Sequence, residues 1–564
     1  MIHQSTRTQA HKIGLLLLLA GYLFGLGHIA IMPPFEGFDE TAHLSRVIEE
    51  AHGSGTEPAQ KITQSVYDYA LYGPMPAGWI FNGDMHAGDP LYKGPHHAHE
   101  QFLTYPKFFA DAEKVKFYQS AYEEQAFPRA YQASPQQNWQ YQHPRLFYYG
   151  MAALTAFIPP LPLAGLFLVL RFLCFSMGFG GLVIGLLATR RHLALTGHRA
   201  PDSVFVFMAA YPFLLPSFYA DMARLGNDSL CLLLIGIAWA LLLSLLRNVH
   251  HLAACLGIGA AFGLCLATKT LTLPFVAASL LVLLIYFILH PAAKGKPLLL
   301  CLKPAFVIGA AFALVIAGLS YASFWQEAQI SPPDSLHAGG SQPLETGIGA
   351  QFFSLYARGL GFMLISTPYL FNTWSLTVAD YWLVAVCALF AVIILAHYAV
   401  LLRRRADWLT WLPALLAGTL FAGLCYFMMH TSLNSSNPYI CGYYLHIAAP
   451  AIALALGLGL QEIAQRRYGV LFFRLLLPWL GFVHLPIIAC HVGLFTGMTA
   501  PTQPFSTAHF IMSLSWPVFW DRLALLAYPS LAVACFGAGL LALGAGLWGL
   551  GRLTGARTGL AKPD

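Results

Sequence analysis

Apolar runs of about 20 residues, long enough to cross ~30 Å of hydrocarbon as helix, recur along the whole chain. They predict spans near 12–32, 168–189, 203–220, 229–247, 251–269, 271–290, 304–323, 381–402, 409–429, 443–461, 469–488 and 523–550. The pattern is that of an all-α polytopic membrane protein with about twelve transmembrane helices. The first run ends at Pro33-Pro34 rather than at a small-residue cleavage site, so it reads as a retained span and not a signal peptide. Five regions follow: 1–32 with the N-terminus and first span, a long polar loop 33–167, spans in 168–323, a second long loop 324–380, and spans plus C-terminus in 381–564. The apolar stretch 146–160 reads as an interfacial helix within the first loop, with Pro144 at its first position.

Lys and Arg in the short loops orient the spans. With the N-terminus inside, the inner face holds seventeen bases, among them Arg190, Arg191, Lys294, Lys296, Arg403, Arg404 and Arg405. Outside the long first loop, the outer face has five: Arg171, Arg224, Lys269, Arg358 and Arg522. Both termini are therefore expected in the cytoplasm, and the loops 33–167, 324–380, 430–442 and 489–522 outside. Arg171 and Arg190 lie 19 residues apart, or about 28 Å of helix. That spacing puts one Arg at each interface and avoids the ~2.5 kcal/mol or more of an Arg at the bilayer centre.

Composition agrees with lipid as the solvent. Apolar residues make up 57% and charged residues 10%, with mean hydropathy +0.60. Residues 33–145 carry 14 acids and 8 bases, against a net charge of +6 for the whole chain. One acidic, water-facing insertion thus sits on a basic membrane body, which disfavours nucleic-acid binding and disorder. None of the ten cysteines falls in 33–145 and no CxxC pair exists, so they read as small core hydrophobes.

The polar chemistry gathers on the outer side. The first loop opens Gly37-Phe38-Asp39-Glu40-Thr41-Ala42-His43. Asp39 is placed to cap a helix over 40–52. Alternatively it is a general base at the membrane mouth, or a divalent-cation ligand with Glu40 and His43. Lys93 and Gly94 precede three histidines, His96, His97 and His99, which offer transition-metal or phosphate contacts. The loop closes on His143-Pro144-Arg145-Leu146-Phe147-Tyr148-Tyr149. Further on, Asn227-Asp228 stands at the start of a span, where Asp228 could act as a cap, and Lys269 lies between two spans. Arg358 sits in an amphipathic segment 350–362.

In order along residues 12–290, these features resemble the GT-C superfamily of membrane glycosyltransferases, which contains protein O-mannosyltransferases and lipid A aminoarabinose transferases. Asp39-Glu40 with His43 resembles the acidic pair after the first span, and His143–Tyr149 resembles an "HPPLYY" stretch with Arg145 in place of the second Pro. Arg171 with Ser176 and Gly178 resembles "R…S…G", while Asn227-Asp228 and Thr268-Lys269 resemble "ND" and "TK". The opening is most similar to "DEPAH"-type bacterial membrane proteins, with Thr41 replacing the Pro. The resemblance implies an inverting transfer of sugar from a polyprenyl-phosphate carrier to a glycan, lipid or protein acceptor at the outer face of a bacterial inner membrane. It implies Asp39 as base, and Lys93, Arg145, Lys269 and Arg358 as candidates to stabilise the leaving phosphate. Two rivals remain. A non-catalytic glycolipid-binding scaffold would share every motif, whereas a transporter should carry ionisable residues at span centres, which the spans largely lack.

Overall fold

The computed structural model describes residues 2–53, 60–74, 105–198, 200–248, 251–289, 298–321, 349–367, 381–404, 407–435, 442–498 and 514–558. The elements that matter here are α1 (Ile2–Ile31), α2 (Glu40–His52), α3 (Leu146–Thr155), α4 (Leu163–Leu195), α5 (Pro201–Ala209), α6 (Tyr211–Leu214), α7 (Ser217–Met222), α8 (Asp228–Leu245) and α9 (Leu252–Thr268). They continue as α10 (Leu273–Leu289), α11 (Leu298–Tyr321), α12 (Ala350–Ser366), α13 (Tyr381–Arg404), α14 (Trp408–Ser435), α15 (Ala449–Ala464), α16 (Gly469–Phe482), α17 (His484–Phe495), α18 (Trp516–Leu526) and α19 (Pro529–Thr558). A two-stranded antiparallel ribbon in the first loop pairs β1 (Lys61–Thr63) with β2 (Ala133–Gln137).

Ten stretches among the described residues are long and apolar enough to cross a membrane. They match ten of the twelve expected spans. The eleventh, 251–269, is α9, a 17-residue apolar helix. The twelfth, 203–220, is broken into α5, α6 and α7. Pro212 and Pro216 account for the breaks, since each lacks the N–H that an uninterrupted helix needs. All three pieces are almost wholly buried, so their backbone groups face protein rather than lipid.

Packing relies on small residues where helices cross, as expected without a hydrophobic drive between spans. A side chain at Gly181 of α4 would collide with the Leu232 carbonyl of α8, and one at Gly236 with the Gly181 carbonyl. The first helix lies along the last, and α4 along α8. The outer rows of α11 and α13 carry exposed Phe306, Leu314, Leu389 and Val392, a surface suited to lipid.

Three expectations change. Helix α4 begins at Leu163, five residues before the expected 168, so Arg171 lies two turns inside a helix and is 1% exposed, level with the end of α1, where it bonds the Met32 and Pro33 carbonyls. Helix α3 starts after Pro144, with Arg145 at its cap position. One side of it, Phe147, Tyr148 and Met151, is buried, and the helix packs on α2 instead of lying free on lipid. Span centres are also not empty of ionisable residues. His484 stands near the middle of Gly469–Phe495, fully buried among Phe24, Phe213 and Tyr219.

Candidate functional site at the membrane mouth

The chain leaving α1 turns sharply before α2. From Gly27 to Glu49 every residue is buried except Asp39, which is partly exposed. Asp39 has φ 60° and ψ 10°, the left-handed region, where a non-glycine residue costs on the order of 1 kcal/mol or more. Its carbonyl accepts the His43 N–H at 2.8 Å, while its side chain makes no capping hydrogen bond. A capping Asp holds an extended backbone and accepts from the second or third helical N–H. Capping therefore does not explain this carboxylate.

Glu40 is fully occupied instead. Arg171 donates to both its oxygens, at 2.8 and 2.6 Å, and the N–H groups of Gly37 and Leu225 donate at 2.9 and 2.8 Å. Arg171 also donates to the carbonyls of Met32 and Pro33 and lies over the Phe167 ring. A buried ion pair survives when every lone pair and proton is matched, and here the matching locks the first turn onto α4 and α8. Glu40 and Arg171 thus hold the backbone that carries Asp39. They are not placed to bind substrate, and Glu40 has no oxygen left for a cation.

A second charged knot lies beside the first. Arg224 donates to the Phe38 carbonyl at 2.9 Å, to Asp221 at 2.9 Å and to Asp228 at 2.6 Å. Lys269 donates to the other Asp228 oxygen at 2.7 Å. Arg224 sits 5.2 Å from the Tyr443 ring centre and the Lys269 ammonium 4.5 Å from that of Tyr444, both within cation–π range. Arg224, Asp228 and Lys269 are all at most 4% exposed. Asp228 is thus an ion-pair centre in the first turn of α8 rather than a cap. Asn227 occupies the cap position without a side-chain cap bond. Neither of its side-chain polar atoms has a protein partner, nor do His143 Nδ1, Arg224 Nε and one Asp221 oxygen. Buried polar atoms left unmatched this way mark a place built for something other than folding.

The third wall comes from α2 and the segment leading into α3. The Tyr148 hydroxyl donates to Gln140 at 3.1 Å and lies 3.0 Å from His43 Nδ1. Having one proton, it must accept from Nδ1–H, which leaves His43 Nε2 as an acceptor. Burial first, then the Arg224 charge, holds His43 well below its ordinary pKa. Burial and Lys269 do the same to His143. Arg46, buried between the rings of Tyr141 and Tyr148 at 4.4 Å from each, donates to the His143 carbonyl at 2.9 Å. Arg145 forms a two-pronged pair with Glu50, 2.7 Å on each side, against the Tyr149 ring. That geometry fastens α3 to α2 and engages Arg145, expected as a phosphate contact, in an ion pair with Glu50.

The structure therefore brings together Asp39, His43, His143, Arg224, Asn227, Asp228 and Lys269. Arg358 is exposed on α12. Lys93 and the His96, His97 and His99 cluster lie outside the described residues. Among the described residues no three His, Cys, Asp or Glu side chains converge as a metal site, so the Asp39, Glu40 and His43 cation set does not assemble. Sequence reasoning missed Asp221 and Arg224 as site residues, while Gly442-Tyr443-Tyr444 resembles a "GRY" stretch of the family with the Arg missing. The alternating charges of Asp221, Arg224 and Asp228 within eight residues are the visible signal, and the turn between α7 and α8 brings them together.

No family model matches the chain, and no curated protein matches it. Two solved structures are similar to it. ArnT from Cupriavidus metallidurans in the apo state shares 15% identity over 72% of this chain and 67% of that one, with a TM-score of 0.38. The same protein bound to undecaprenyl phosphate shares 14% over 84% and 78%, with a TM-score of 0.37.

Proposed function

We propose that this protein is a membrane glycosyltransferase moving a sugar from a polyprenyl-phosphate carrier to an acceptor hydroxyl at the outer face of a bacterial inner membrane. Asp39 carries the reading. It is the one solvent-reaching residue in a buried turn, held in a strained left-handed conformation, with no side-chain capping bond and next to a buried pair of cations. Strain of this kind persists where the surrounding structure imposes it, and functional sites are where it collects.

In the proposed step, Asp39 takes the proton of the acceptor hydroxyl as its oxygen bonds to the anomeric carbon. The bond from that carbon to the phosphate oxygen breaks, and the carrier phosphate leaves with the electron pair. Attack from the face opposite the leaving group inverts configuration, and a single carboxylate suffices. Lys269 and Arg224 stabilise the departing phosphate, and Tyr443 and Tyr444 shield both cations from water. His43 and His143, neutral because of burial, serve as hydrogen-bonding groups for sugar or acceptor. The excess of Lys and Arg on the opposite loops supports the outward placement of the mouth.

Sugar transfer from radiolabelled polyprenyl-phosphate sugar tests this directly, with mass spectrometry of the lipid that copurifies. Transfer by wild type and its loss in Asp39→Asn are expected. A purified, folded protein that neither retains a polyprenyl phosphate nor transfers a sugar would refute the proposal.

A further inference from the structure

Tyr443 and Tyr444 reach the two cations from a short 3₁₀ turn, Gly442–Ala448. Such turns have poor internal hydrogen bonding, so something outside the turn must hold it. His446 does. It is fully buried, with the edges of Tyr211 and Phe218 against its ring at 5.8 and 5.6 Å. Its Nδ1 lies 2.6 Å from the Tyr211 hydroxyl and its Nε2 2.7 Å from Ser217 Oγ.

The proton directions follow from the outer end of this chain. Ser217 Oγ donates its one proton to the carbonyl of Thr367. It therefore accepts from His446 Nε2–H, and Nδ1 accepts from the Tyr211 hydroxyl. The arrangement fixes a single neutral tautomer. The tip of α12 grips the turn a second time, where Ser366 Oγ accepts the Gly442 N–H at 2.8 Å. A side chain at Gly442 would run into Thr367 Oγ1 and the Met363 carbonyl, so only glycine fits there.

The chain of bonds thus joins three pieces. Helices α6 and α7 supply Tyr211 and Ser217 and lead to Asp221 and Arg224. The turn supplies the two tyrosines. Helix α12 comes from the second long loop, and Thr367 follows it directly. We infer that His446 is a positioning residue that sets the Tyr443–Tyr444 pair over Arg224 and Lys269. It does so through one relay, Tyr211–His446–Ser217–Thr367, which ties the mouth to α12. The role in transfer rests on the proposed glycosyltransferase reading; the positioning of the rings does not.

The test pairs amine acylation with transfer, using the full-length protein in detergent. Acylation of Lys269 by an N-hydroxysuccinimide ester is read by mass spectrometry, and Lys269 is shielded in wild type by Asp228 and Tyr444. Losing the relay in His446→Leu should raise that labelling about tenfold, the scale expected for lost buried hydrogen bonds, and Tyr211→Phe should raise it less. His446→Gln, whose amide still donates to Ser217, should restore part of the protection. Combining His446→Leu with Tyr444→Leu should give no more than Tyr444→Leu alone, since coupled residues are not additive. Labelling of Lys269 that is unchanged in both His446→Leu and Tyr211→Phe, or effects that simply multiply, would overturn the inference. Should His446→Leu fail to fold, Tyr211→Phe decides by itself. If wild type shows no transfer while the labelling behaves as stated, the glycosyltransferase reading falls and the positioning stands.

Discussion

At Asp39, function and stability pull in opposite directions. The residue holds a left-handed backbone without the cap bond that would repay it, so Asp39→Asn should leave thermal stability unchanged and lower turnover by ~10² or more, the usual worth of a general base. Asp39→Gly should melt no lower than wild type, because glycine adopts positive φ without strain, yet should be equally inactive. Full activity in Asp39→Asn would end the case for a base here. The cations divide similarly. Lys269→Ala and Arg224→Ala should weaken carrier-phosphate retention together with transfer, and each should also lower the melting temperature, because it strips a buried partner from Asp228. Arg145→Ala should lower the melting temperature as well, because it leaves the Glu50 carboxylate without its clamp. The two histidines add a pH signature. Both have folded pKa values held well below the ordinary ~6.5, so below that pH the unfolded chain takes up protons that the folded protein refuses. Their contribution is nearly complete at neutral pH and is lost as pH falls through 6.5, the slope steepening toward a limit of about 1.4 kcal/mol per unit for each. Melting between pH 7 and 5 should show this slope, and His43→Gln should flatten it.

Among the elements, the turn between α1 and α2 depends on one buried ion pair. Removing one partner strands the other, which typically costs about 3–5 kcal/mol, whereas replacing both with apolar residues is often close to neutral. Glu40→Ala or Arg171→Ala should thus sharply reduce the yield of folded protein, and the double variant Glu40→Leu with Arg171→Met should recover much of it. Equal losses in single and double variants would mean that the turn is held some other way. These elements also show where sequence reading succeeds and fails. Spans were legible because hydropathy is a local sum. The broken span 203–220 looked continuous because its apolar content hid two prolines that the packing exploits. The Arg145 pairing is hidden for a different reason: Glu50, its partner, is 95 residues away, and nothing local reveals it. Glu40 was grouped with Asp39 by adjacency, although the turn sends their carboxylates to separate tasks.

Over the whole molecule, the site is assembled from segments that start or end at least five different helices, all meeting at one end of the bundle. Residues 36–49, 138–149, 171, 221–228, 269 and 443–446 meet there, which requires an even number of crossings between each successive pair. The absolute orientation can be read by single-cysteine labelling with an impermeant reagent. Positions in 60–74 and 105–140 should label from outside, and positions near Arg404 only after the membrane is opened. Labelling of the 404 region from outside would turn the mouth toward the cytoplasm and remove the basis for an extracytoplasmic donor.

The Arg171–Glu40 pairing also bears on the order of biosynthesis. Glu40 precedes Arg171 by 131 residues, so its carboxylate has left the ribosome well before the cationic span arrives at the translocon. Arg171 stands two turns from the outer end of α4, where an Arg costs less to insert than the ~2.5–3.5 kcal/mol of a helix centre, and the compensating charge is already waiting at the mouth. The first loop thus acts as an assembly factor for the helix that follows it. A nascent chain arrested once α4 has cleared the ribosome should hold its first turn more resistant to protease than the same chain carrying Glu40→Ala.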